Sequence, residues 1–183
     1  RGSDTCPTLQ RHTLRNPNRL RPHIKKLHKV MRRQYRKSLN MPQSHIILRS
    51  ILATDPRPLP TAVFWSLKTR TRYHREFPHV VATLPGLFGD PCKGGGVGDC
   101  NDFAVSTAAL GTIGRYQVRW AHGFDHEGDV VHVWTQMRPE PVPGIEAAEW
   151  VDVDPTPGAP PPGGGSPLDV PGARIVGYWT EPV

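Results

Sequence analysis

Cys100 follows Gly98-Asp99 and opens a stretch, Asn101–Ile113, whose small and apolar residues read as a helix. A cysteine at a helix start faces unpaired backbone N–H groups and the positive end of the helix dipole, and both stabilise a thiolate. The thiolate is the attacking species in thiol chemistry, so this placement favours a nucleophile. Downstream, His132 lies in the alternating run Val130-Val131-His132-Val133-Trp134, on the strand face that carries Val130 and Trp134. An imidazole between bulky apolar residues needs a polar partner once buried. Trp150-Val151-Asp152-Val153-Asp154 places two carboxylates on one strand face. Either could accept a hydrogen bond from the imidazole and leave its other nitrogen to serve the thiol. A nucleophile on a helix, with base and orienter on adjacent strands, is what a cysteine acyl-transfer site requires.

Three blocks of the chain carry a family resemblance: Gly98-Asp99-Cys100-Asn101-Asp102-Phe103-Ala104, His132-Val133-Trp134, and Trp150-Val151-Asp152-Val153-Asp154-Pro155-Thr156. In this order they resemble the signature blocks of the transglutaminase-like superfamily, a papain-like group of Cys–His–Asp enzymes, over about residues 61–157. The resemblance implies an α+β core in which the helix carrying the cysteine packs on an antiparallel sheet. It implies Cys100 as nucleophile, His132 as general base and acid, and Asp154 as the orienting aspartate. Asp99, Trp134, Trp150 and Asp152 are the expected supporting residues, and no cofactor is implied. The stretch Leu110–Arg119 also resembles the family's link from helix to first strand. Two features depart from the pattern. Gln136 stands where the family commonly has an acid, and the connection 138–146, with prolines at 139, 141 and 143, is longer than the minimal version. The family's second oxyanion donor is a side chain upstream of the cysteine, for which Gln43, Trp65 and Tyr73 are the candidates. A weaker similarity, to such domains in phage and prophage gene clusters, would suit a virion component.

These residues need elements to position them. Ile24, Leu27, Met31 and Tyr35 recur at spacings of three and four between Pro22 and Leu39, a helical stripe opposite a basic face. Ser44–Ala53 reads as a short buried helix with Ser44 as its cap, and residues 61–73 as another. His74–Gly98 reads as loop. After Gly114 the period changes to alternation, which predicts strands over 116–121, 130–137, 148–153 and 174–180. Residues 155–173, with seven prolines and five glycines, are expected to be irregular. Helices followed by antiparallel strands predict an α+β domain. The expected division is a basic arm with a helix over 1–43, the transglutaminase-like domain over 44–157, and a Pro/Gly-rich segment with a final strand over 158–183.

The chain has 183 residues and a formal charge of +7, unevenly spread. Residues 1–38 hold 12 Lys/Arg and one acid, so that segment is +11 and the remainder is mildly acidic. The helix over 22–39 can equally be a solvated one packing on its own domain or a basic one gripping an anionic partner. The charge predicts that residues 1–38 extend as an arm toward an acidic protein surface or nucleic acid, with the apolar stripe as anchor. No apolar run approaches the roughly 18 residues of a membrane span, and no secretory leader is visible. The expected location is therefore cytoplasmic or virion-associated. Cys6, Cys92 and Cys100 are odd in number, which argues against a disulfide framework. Cys92 reads as a loop thiol, with a regulatory bond to Cys100 as the less favoured alternative. His122, His126 and His132 with a cysteine could be written as a zinc set, but their spacing is irregular and no C-x-x-C exists, so no metal is expected. The Gly94–Gly98 run lacks the Gly-Lys-Ser/Thr of a phosphate loop.

Three functions remain. The first is a thiol hydrolase or acyltransferase acting on an amide in protein or peptidoglycan. The second is a binding or assembly module that keeps the fold and works through its basic arm. The third is a peptidoglycan-type cysteine amidase, which also opens a helix with Asp-Cys but typically lacks a Trp-x-x-x-Asp-Pro-Thr block.

Overall fold

The structure, a computed structural model, describes residues 22–74, 81–89, 96–170 and 174–183. Helix α1 (Pro22–Asn40) runs the predicted course, and its stripe is core. Met31 and Tyr35 are buried, Leu27 is half-buried against them, and the Tyr35 hydroxyl shares a 2.9 Å hydrogen bond with Thr112 Oγ1. The expectation that residues 1–38 extend from the body therefore fails for the described part. A 3.6-residue period gives each helix one buried stripe, and here it lies against the chain's own Cys100–Ile113 helix. The side chain of Ile24 and all of residues 1–21 lie outside the described residues.

Helix α2 (Pro42–Thr54) starts two residues earlier than its expected cap. Pro42 occupies the first turn, where a missing N–H costs nothing, and Ser44 is buried inside the helix. Helix α3 (Leu59–Arg70) likewise begins on a Leu-Pro step and buries Ala62, Val63, Phe64 and Leu67. The helix expected to run to residue 73 ends at Arg70 and gives way to β1 (Arg72–Tyr73), while the segment expected as loop, 74–98, holds α4 (Leu84–Phe88) and β2 (Val97–Gly98), the latter paired in parallel with β1. Each is five residues or fewer, too short to leave a periodic signal.

Helix α5 (Cys100–Ile113) is central: every residue from Asn101 to Gly111 is buried. Gly111 permits this closeness, since a Cβ there would stand 2.7 Å from Val118 Cγ1 and 2.9 Å from Met137 Cε. The helix stops at Gly114, where a Cβ would strike Leu59, and Arg115 takes the left-handed turn at φ 63°.

Strands β3 (Tyr116–Phe124), β4 (Val130–Pro139), β5 (Val151–Val153) and β6 (Gly177–Pro182) form one antiparallel sheet in the order β5-β4-β3-β6. The chain is thus α+β. Strand β5 is shorter than expected, beginning at Val151. One sheet face, with Trp120, Val133 and Met137, packs on α5, and Trp120 Nε1 and Thr135 Oγ1 both donate to the Ala104 carbonyl, at 3.3 and 2.8 Å. The opposite face carries Arg119, His132, Trp134 and Gln136, because alternate residues of a strand point to opposite sides. Among the described residues no helix is long and apolar enough to cross a membrane.

Candidate active site

Cys100 is the first residue of α5 because Asp99 caps it. The Asp99 side chain accepts from Asn101 N at 2.8 Å and Asp102 N at 3.4 Å, while Asp102 Oδ2 accepts from Asp99 N at 2.8 Å. This capping box is closed on both sides and buried, with Asp102 Oδ1 also holding Ala82 N at 2.6 Å. Asp99 therefore fixes where the helix starts and so where the thiol stands. Gly98 is needed just before it, since a Cβ would meet the Asp102 side chain at 2.8 Å.

His132 sits on β4 beside the end of α5. Its Nε2 is 2.7 Å from Asp154 Oδ2, and the Cys100 thiol interacts with the same ring. With Nε2 engaged, Nδ1 is the nitrogen left for sulfur. Burial alone would lower the imidazole's pKa, but the Asp154 charge and hydrogen bond, together with Cys100, outweigh it and raise the value to about 10. The ring is then an imidazolium at neutral pH. Asp154 is itself held by the residues after it: Thr156 Oγ1 and Thr156 N donate to Asp154 Oδ1 at 2.8 and 3.2 Å. Lys68 of α3 fastens that segment by donating to the carbonyls of Thr156 and Ala159, both at 3.3 Å.

Asp152, the other carboxylate of the strand, turns to different partners. Its Oδ1 accepts from Trp134 Nε1 at 2.6 Å and from Gln136 Nε2 at 2.7 Å, and Gln136 Oε1 accepts from Arg119 Nε at 2.7 Å. Gln136, the departure from the family pattern, thus links Arg119 to Asp152, which an acid could not do without a proton. Trp134 stacks on His132. Trp150 is gripped between two guanidiniums, Arg119 at 4.2 Å and Arg138 at 4.5 Å from the ring centroid. The alternation of the Trp150–Asp154 stretch admits either aspartate as the imidazole's partner; the contacts separate them.

Of the three upstream oxyanion candidates, only Tyr73 reaches the site. It lines the cavity of about 460 Å³ that holds Cys100 and His132, brought there by the β1–β2 pairing. Gln43 is exposed on α2, and Trp65 meets Phe64 edge to face beside Arg57. The cavity's other wall is α1, through Lys26, Leu27, Val30 and Met31, which sequence reasoning had assigned to a separate arm. Cys6 and Cys92 lie outside the described residues, and so does any bond between Cys92 and Cys100. No family model matches the chain, and neither a curated protein nor a solved structure is similar to it at a significant level.

Proposed function

We propose that the chain is a transglutaminase-like, papain-like thiol enzyme that cleaves or transfers an amide acyl group through Cys100, His132 and Asp154. The observation that carries this reading is that one imidazole holds Asp154 at 2.7 Å on Nε2 and interacts with the Cys100 thiol, with which it lines one cavity. In this reading the thiolate attacks the amide carbon, and the oxyanion is met by the Cys100 backbone N–H and the Tyr73 hydroxyl. The imidazolium gives its proton to the leaving amine, which frees a thioester. Water or a second amine, deprotonated by the now neutral His132, then releases the acyl group. The amide belongs to a protein or to peptidoglycan.

The exposed basic face of α1 supports a second element of the reading. Lys25, Lys29, Arg33, Arg36 and Lys37 lie along one concave surface, fitted to an acidic protein surface or nucleic acid, as in an assembly such as a virion. An assembly module without catalysis would use that face alone.

The test is the rate at which a thiol-directed electrophile labels Cys100 in the full chain, located by peptide mass spectrometry. Cys100 should react at least tenfold faster than Cys6 and Cys92 at pH 7 and slow to their level in His132→Ala, as expected of a thiolate paired with an imidazolium. Equal rates at all three cysteines would remove the enzyme reading.

A further inference from the structure

Away from the triad, three ligating side chains from three separate elements converge. His28 of α1 and His122 of β3 place Nδ1 and Nε2 at 3.1 and 3.2 Å from the same oxygen, Glu181 Oε1 of β6. The three ligand atoms all lie within 4.8 Å of one another. Both histidines are buried, His122 to 1% exposure. Despite the short distances, His122 Nε2 and Glu181 Oε1 make no hydrogen bond of acceptable geometry with each other or with any other described residue. Buried polar atoms left in this condition are costly. Nitrogen and oxygen ligands at 2.0–2.1 Å from a tetrahedral zinc ion stand roughly 3.3 Å apart, close to the two histidine–glutamate separations found here.

The surroundings are those of a ligand set held in place. Trp179 stacks on His122 with 5.0 Å between centroids and 22° between planes, and Arg32 Nη2 sits 3.3 Å from the second carboxylate oxygen, Glu181 Oε2. Outer partners of this kind orient metal ligands. Two imidazoles and one carboxylate suit a borderline divalent ion, whereas calcium and magnesium call for more oxygen ligands.

We propose that His28, His122 and Glu181 bind a zinc ion that clasps α1 to strands β3 and β6. Both histidines line the cavity shared with Cys100, so water has access to the fourth position. The clasp rests on no part of the enzyme reading.

The experiment titrates chelator-treated full chain with Zn²⁺, followed by calorimetry and by thermal unfolding. A Cys100→Ser background excludes binding at the thiolate and imidazole of the other site. Both the wild type and Cys100→Ser should bind about one equivalent and unfold at a higher temperature with zinc. His122→Gln and Glu181→Gln should each weaken binding by more than roughly 100-fold, and Arg32→Gln by about tenfold. Should the ligand variants fail to fold, ring-nitrogen NMR of Cys100→Ser decides: zinc should shift the His28 and His122 signals and leave exposed His45 unmoved. No bound zinc, or binding that Cys100→Ser abolishes while those two rings stay unshifted, would overturn the site.

Discussion

The indole of Trp134 lies against the imidazole of His132, with 5.8 Å between ring centroids and 22° between their planes, and donates its Nε1–H to Asp152 at 2.6 Å. Two successive aspartates on one strand face thereby divide the work. Asp154 addresses the histidine, and Asp152 addresses the ring on which the histidine rests. The imidazole is held at its edge by charge and across its face by packing.

That division predicts unequal losses on substitution. Asp154→Asn leaves the shape but removes the charge that favours the imidazolium, and should slow Cys100 alkylation at pH 7 by roughly 10²–10⁴-fold. Asp152→Asn keeps an acceptor oxygen for Trp134 and should cost about tenfold or less. Equal losses, read by alkylation kinetics, would return the two aspartates to equivalence.

The stack can be probed separately. Trp134→Phe keeps an aromatic face but leaves Asp152 one donor short, and should lower stability by about 1 kcal/mol in urea unfolding. Trp134→Ala empties a fully buried site and should cost about 3–5 kcal/mol. If the two variants proved equally stable, the packing under His132 would count for little.

The His132 pKa sets a pH window. Its value in the folded protein, about 10, lies above the ordinary 6.5. The stabilisation it brings is therefore complete below about pH 6.5 and is lost as pH rises through about 10. The wild type should lose its stability advantage over His132→Gln across that interval, and thiolate reactivity should lose its imidazolium partner over the same range. A stability difference flat from pH 6.5 to 10.5 would contradict the assignment.

For α1, the stripe matters more than the charge. Met31→Ala removes a fully buried side chain against α5 and should destabilise the domain by about 2–5 kcal/mol. Reversing the exposed Lys25 and Lys29 should change stability by less than about 0.5 kcal/mol, while weakening any salt-sensitive association. Urea melts of both variants make the comparison.

Much of this arrangement is legible in the residues, and the limits have physical causes. Gly98-Asp99-Cys100 announces a helix start because capping is local, and the alternation around His132 announces a strand because its period is two. Which aspartate meets the imidazole is not written in alternation, since residues 152 and 154 share a face. The choice depends on where Trp134 and Gln136 send their N–H groups. Tyr73 could be separated from Gln43 and Trp65 only by the two-residue pairing of β1 with β2, which has no periodic signature. For α1, charge and periodicity point in different directions, and the packed-helix reading is the one the contacts follow. A count of charges reports what a helix shows to water and is silent on what its other stripe covers. Likewise His28, His122 and Glu181 have no mutual spacing to notice, because they come from α1, β3 and β6, which only the fold brings together.

Strand β5 pairs through only three residues, Val151, Asp152 and Val153, and Asp154 follows immediately. A carboxylate so placed hangs on the shortest rung of the sheet, while Cys100 and His132 stand on a buried fourteen-residue helix and a ten-residue strand. Free energies of opening vary across a native protein, and short edge pairings belong to the shallow end of that range. The amides of β5 should therefore exchange with deuterium well before those of α5. In mild denaturant the histidine should lose its counter-charge while the rest of the molecule is still folded, so the proposed triad has a point of failure narrower than the domain that carries it.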